Sequence, residues 1–242
     1  MSEYPKPVRL PGQPPLPREP YEDKPRAEAP GVVDEDLDQY GAEAAAAELT
    51  ERIKQVHASA VRVADDGRAL LSPPYDAARD HVDGPVPGRT SLVVFGAFGT
   101  PASRPLADVL AHVRDRHATT ADVAWRHYPD PIAHPHAAVL ALAAEAAASR
   151  GRFWAFTYEL LRMRHDDPDA LHATMRHVAL DPAHMTELMR AGTGADRIVD
   201  DVSSALASAV TYSPALFING ERYPGELDPA AVSAALDARA GG

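Results

Sequence analysis

Two hydroxyl side chains, Thr100 and Ser103, stand three residues apart in Thr100-Pro101-Ala102-Ser103, just after the apolar run Leu92-Val93-Val94-Phe95 and the glycines Gly96 and Gly99. A hydroxyl attacks a substrate only when an adjacent base takes its proton, and none of residues 97–103 is a histidine or an acid. His127 and His134 are the long-range candidates for that base. The turn leads into a helix expected to start near Thr100. A helix N-terminus favours an anion by up to about 2 kcal/mol, or roughly 1.5 pKa units. That is useful to a thiol of pKa near 8.5 and far short of what an alcohol needs. The plainest role for Thr100 is an N-cap, with Pro101 in the first helical position.

Eleven histidines raise the question of a metal. His134-Pro135-His136, His165, His172, His177 and His184 could supply nitrogen ligands. Yet His172 and His177 are five apart, not the four that align two ligands on one helix face. No carboxylate–histidine motif of the zinc-hydrolase kind occurs. Structural or solvated histidines are expected, and no metal. Gly96 and Gly99 are too few for a phosphate-cradling loop, and no lysine follows them. Phe153, Trp154 and Phe156 read as core, and Asp200-Asp201 as a solvated helix face.

The elements that must position these groups come from 242 residues, 45% apolar and 24% charged, enough for one ordinary domain and an appendage. There is no cysteine, so disulfides, thiolate metal sites and thiol catalysis by the chain itself are excluded. The formal net charge of -11, with no Lys/Arg cluster, argues against nucleic-acid binding. Met1 to Pro30 has no apolar run of signal-peptide length, and no stretch approaches a membrane span. A cytoplasmic protein without membrane insertion is the expectation.

Nine of the 23 prolines lie in residues 1–30, so residues 1–33 are expected to be a disordered Pro-rich tail. Pro14-Pro15-Leu16-Pro17 could fit a proline-binding groove, although composition favours a spacer. Residues 34–64 predict an N-terminal helix opened by Asp34, Glu35, Asp36 and Asp38. Its stripe of Leu49, Ile53, Val56 and Ala60 must face either the main domain or a second copy in a homodimer. Residues 65–89 read as a linker or lead-in, and the globular domain is expected over 90–242. Within it, Leu92–Phe95 and Ala121–His127 are strands joined by a helix bearing Leu106, Val109, Leu110 and Val113, which implies a parallel right-handed crossover. A helical insertion spans about 134–190, with helix starts at Asp167-Pro168 and Asp181-Pro182. A further helix covers about 196–209. Ala215–Ile218, the Asn219-Gly220 turn and Glu221–Tyr223 form a hairpin, and Asp228-Pro229 caps a last helix.

Several stretches, in this order and spacing, resemble the DsbA-like thioredoxin-fold family over about residues 71–240, most closely its actinobacterial-type branch, which also occurs fused to sodium/proton antiporters. They are Leu71-Ser72-Pro73-Pro74 with Asp80-His81, Leu92-Val93-Val94-Phe95-Gly96, Arg126-His127-Tyr128-Pro129, His134-Pro135-His136-Ala137, Gly151-Arg152-Phe153-Trp154, and Ser213-Pro214-Ala215-Leu216-Phe217-Ile218-Asn219-Gly220. The resemblance implies an α/β thioredoxin-like fold with a helical insertion. It places the attacking and resolving cysteines of such proteins at Thr100 and Ser103, and two of their acids at Val94 and Ala97. Thiols and acids are both replaced, so no catalytic residue and no thiol–disulfide exchange are expected at this degenerate turn.

The resemblance also implies a cis peptide at Pro214. That bond would present the backbone of Ser213 as a free strand edge on which an extended segment could pair. Thr100, Ser103, Ser213 and Pro214 are thus the expected binding residues, for a peptide or protein partner and without a cofactor. The alternative comes from the kappa-type glutathione transferases, which place Ser-Pro-Tyr-Ser at this turn. Under it, Thr100 or Ser103 would hold the thiolate of glutathione or another low-molecular-weight thiol.

Overall fold

A computed structural model describes residues 39–60, 69–84 and 90–240. The Pro-rich tail and the acids Asp34, Glu35, Asp36 and Asp38 lie outside the described residues. All that follows belongs to one compact unit, Asp36–Gly242. In chain order its elements are α1 (Glu43–Ser59), β1 (His81–Asp83), β2 (Thr90–Gly96), α2 (Ser103–His117), β3 (Ala121–His127), α3 (Ala137–Ser149) and α4 (Phe153–Arg162). Then come α5 (Pro168–His177), α6 (Pro182–Arg190), α7 (Ala195–Ala207), β4 (Ala215–Ile218), β5 (Glu221–Arg222) and α8 (Pro229–Ala240). Among the described residues no helix is long and apolar enough to cross a membrane.

The five strands form one sheet in the order β1-β3-β2-β4-β5. β2 and β3 are parallel, from Thr90 opposite Ala121 to Gly96 opposite His127, with α2 as the crossover. β4 runs antiparallel to β2, and β5 antiparallel to β4. Leu92, Val93, Val94 and Phe95 are all fully buried. A strand covered on both faces shows an unbroken apolar run rather than alternation. At the hairpin, Asn219 and Gly220 both have positive φ, as a two-residue primed turn requires. The Asn219 side-chain oxygen also accepts from the Ser91 N–H at 3.0 Å.

α3 is buried nearly all round, and its alanines let α1, α4 and α6 approach closely. Asp167 and Asp181 act as N-caps ahead of proline, accepting from the N–H of Ala170 at 2.8 Å and of Ala183 at 3.3 Å. Loss of the shorter cap in Asp167→Ala is expected to lower stability by about 1 kcal/mol, read as a shift in the urea unfolding midpoint at unchanged slope.

Three expectations are corrected. The N-terminal helix, expected over 34–64, is helical over Glu43–Ser59, with Glu43 as its first-turn acid. Leu49 and Ile53 are buried, and α1 lies on α7, α3 and α6, so this chain itself covers the stripe. The lead-in 65–89 is more than a linker: His81–Asp83 pair antiparallel with Val123–Trp125 as an edge strand. Leu71 is buried as well, and its N–H donates to the Gly220 carbonyl at 2.8 Å. A three-residue strand is too short to show a period. Finally, Asp201 is not on a solvated face. It is fully buried, pairing with Arg79 Nη2 at 3.0 Å and accepting from the His127 backbone N–H at 2.9 Å.

The lead-in is fastened by Arg126, whose side chain is fully buried. Its guanidinium donates to both carboxylate oxygens of Asp80 (2.9 and 3.0 Å), to the carbonyls of Pro73 and Pro74 (2.8 and 3.0 Å) and to Ser204 Oγ at 2.8 Å.

Candidate functional site

The turn after β2 is shaped by what Gly96 lacks. A Cβ there would lie 2.2 Å from the indole of Trp125, so only glycine lets the ring cover the strand end. Phe98 stacks on that indole, with centroids 4.9 Å apart. At Gly99, φ of +67° reverses the chain. Residues 100–103 then close a tight turn, the Ser103 N–H donating to the Thr100 carbonyl at 3.0 Å.

Here the hydroxyl roles differ from those expected. α2 begins at Ser103 rather than near Thr100, and its N-cap residue, Ala102, has no capping side chain. Instead Ser103 Oγ reaches back into the turn to accept from the Thr100 N–H at 3.1 Å. The same oxygen lies 3.2 Å from Thr100 Oγ1 and donates to the Ala97 carbonyl at 3.4 Å. Buried and so engaged, Ser103 pins the turn. Thr100 is half-buried, and its hydroxyl can exchange one intraturn bond for a ligand.

A groove of about 480 Å³ opens at this turn, lined by Gly99, Thr100, Pro101, Ser103 and Arg104 on one side and by Leu160 and residues 163–166 on the other. Ser213 and Pro214 are not part of its lining. The pairing of Phe95 with Ala215 puts Pro214 level with Gly96, at the same end of the sheet as the turn. The Ser213–Pro214 bond is cis, as is Ser72–Pro73. Ser213 is half-exposed, and neither its backbone N–H nor its carbonyl meets a protein partner among the described residues.

His127 is not a base for Thr100. The indole N–H of Trp125 donates to its Nδ1 at 3.2 Å. Because that N–H can only donate, the ring proton sits on Nε2, which gives it to Glu145 Oε1 at 2.9 Å. Both ring nitrogens are therefore committed, and the ring meets the turn only edge-on, through Phe98 at 6.0 Å. The side chain of His134 makes no hydrogen bond among the described residues.

His165, His172, His177 and His184 do not gather with the 134–136 pair. His136 Nδ1 lies 2.9 Å from Asp166 Oδ2, and His184 faces Glu187 at 3.6 Å. The group that does converge among the described residues is His81, His127 and Glu145, with ligand-type atoms all within 4.8 Å of one another. His81 Nε2 lies 2.7 Å from the same oxygen, Glu145 Oε1, and its ring stacks on Phe153 at 3.7 Å. Burial opposes the Glu145 charge, but the hydrogen bonds from His127 and His81 more than offset it and hold the carboxyl at about 2. Burial pushes His81 down, with Glu145 pulling the other way. As arranged, His127 meets Glu145 as a proton donor. Metal ligation at Nε2 would move the proton to Nδ1, against the Trp125 N–H. One sequence signal does mark this cluster: Glu145 is the lone charge in a thirteen-residue helix of alanines and aliphatics, and a buried acid requires partners.

No family model matches the chain. Among curated proteins it is 34% identical over 185 residues to "Na(+)/H(+) antiporter NhaA 3" of Salinispora tropica, covering 74% of this chain and 28% of that protein. The chain spans less than a third of the length of the curated relatives it matches. Among solved structures, oxidised BdbD from Bacillus subtilis superposes with a TM-score of 0.64 at 15% identity, over 72% of this chain and 100% of that one. A thioredoxin-like oxidoreductase from Silicibacter pomeroyi gives 0.56 at 22% identity, over 74% and 99%. The chain has the DsbA-like thioredoxin fold, built without a cysteine.

Proposed function

We propose that this protein binds an extended segment of a partner in the groove beside Thr100, with the free backbone edge at Ser213 as its pairing strand, and carries out no thiol–disulfide exchange. The observation that carries this reading is an open groove at the turn together with a Ser213 backbone that meets no partner among the described residues, at the same end of the sheet. Strand addition draws its affinity from main-chain hydrogen bonds and needs no sulfur. Ser103 supports the same reading, since its hydroxyl is spent on holding the turn.

The test is fluorescence anisotropy with labelled extended peptides. Thr100→Trp, which fills the groove from a half-buried position, is expected to weaken binding by at least about tenfold, the scale of losing a well-packed contact. Unchanged affinity would place the peptide elsewhere. Insulin reduction should show no turnover above the added reductant. Saturable calorimetric binding of glutathione, weakened by Thr100→Val, would instead favour the thiolate-holding reading.

A further inference from the structure

The chemistry of the held segment can be taken one step further, on the footing of the peptide-binding reading. Arg104 at the start of α2 and Arg164 in the α4–α5 connection both line the groove and are exposed. Neither side chain has an ion-pair or hydrogen-bond partner among the described residues. The lining holds one acid, Asp166, and it is already engaged. Its Oδ2 lies 2.9 Å from His136 Nδ1, and its backbone carbonyl accepts from the Tyr40 hydroxyl. The lining thus carries two guanidinium groups and one carboxylate, on a chain whose formal net charge is -11. Against that background, two unpaired arginines brought to one cavity from separate segments call for an anionic occupant, and the planar guanidinium fork matches a carboxylate.

We propose that the segment held beside Thr100 is acidic: an extended peptide whose Asp or Glu side chains pair with Arg104 and Arg164. Both arginines are exposed, so replacing them leaves the fold intact, and the full chain can be used throughout. Labelled peptides of alternating Glu and Thr, and of alternating Gln and Thr, are compared by anisotropy at low and high salt. The Glu peptide is expected to bind about tenfold more tightly, the scale of two well-formed ion pairs. That preference should shrink at high salt and vanish in Arg104→Gln/Arg164→Gln, which should bind the two peptides alike. Equal binding of the two peptides by the unaltered protein would overturn the acidic preference and leave the peptide groove standing. Binding of neither would overturn both. Tighter binding of glutathione or of a single-stranded oligonucleotide than of the Glu peptide would overturn the proposal in favour of that ligand.

Discussion

Arg126→Met is expected to cost about 3–5 kcal/mol of stability, the usual result of removing one partner from a buried ion pair. The side chain is fully buried, and every hydrogen bond it makes reaches another part of the unit: Asp80, the carbonyls of Pro73 and Pro74 ahead of β1, and Ser204 on α7. Burial works against the Asp80 charge, but the hydrogen bonds from Arg126 and the Asp76 N–H, with the charges of Arg126 and Arg79, hold its carboxyl below the ordinary range. Without Arg126, Asp80 keeps Arg79 at 2.7 Å, while two lead-in carbonyls lose their donors. Set against a typical total of about 5–15 kcal/mol, the loss is a large fraction. Urea unfolding followed by circular dichroism reads it directly. A further Asp80→Asn change should recover part of it, because it removes a buried charge left with Arg79 as its ion-pair partner. A loss below about 1 kcal/mol, the scale of an ordinary exposed pair, would show that the network is not a clamp.

Glu145→Gln should flatten the acid limb of the stability curve. The Glu145 carboxyl is held at about 2 against an ordinary 4.5. A depressed carboxyl contributes stability that is complete above its unfolded value and is lost as pH falls toward its folded value. The shift corresponds to about 3 kcal/mol, lost between roughly pH 5 and pH 2. His81 acts in the same direction. Its folded value is lowered, so its contribution begins to fall once pH drops below the ordinary 6.5. Arg197 and Asp201 also face this cluster, and comparing the two proteins reads Glu145 together with the pull it exerts on His81. At neutral pH the variant is expected to be less stable, with the gap closing as pH approaches 2. A gap that stays constant from pH 7 to pH 2 would contradict the assignment.

Where local chemistry dictates local structure, the sequence was a reliable guide. β2 stands out as an apolar run of buried-strand length, and β3 by Val123 and Trp125 on one side of the strand. Asp167-Pro168 and Asp181-Pro182 mark helix starts because the acid and the proline each act within one turn. Asn219-Gly220 supplies the backbone angles of its hairpin. What could not be read depends on contacts across long separations. Asp201 looks like half of an exposed acidic pair until Arg79 and the His127 N–H are brought to it. His81 sits in a stretch without periodicity, and only its pairing opposite Trp125 sets it beside Glu145. At the site itself, the Thr100–Ser103 pair was visible, but the division of labour between its hydroxyls was not. That division depends on Ser103 turning its oxygen back to the Thr100 N–H.

The coverage of α3 and α7 by α1, together with the outer strand at His81–Asp83, bears on how this molecule could be shortened. A chain cut at residue 90 would strip Leu49 and Ile53 from their seats, leave β3 with an open hydrogen-bonding margin, and strand the Arg126 charge without Asp80. Uncovered margins and bare apolar faces invite self-association. Any excised version that keeps the groove intact therefore has to retain the helix and the lead-in that precede β2.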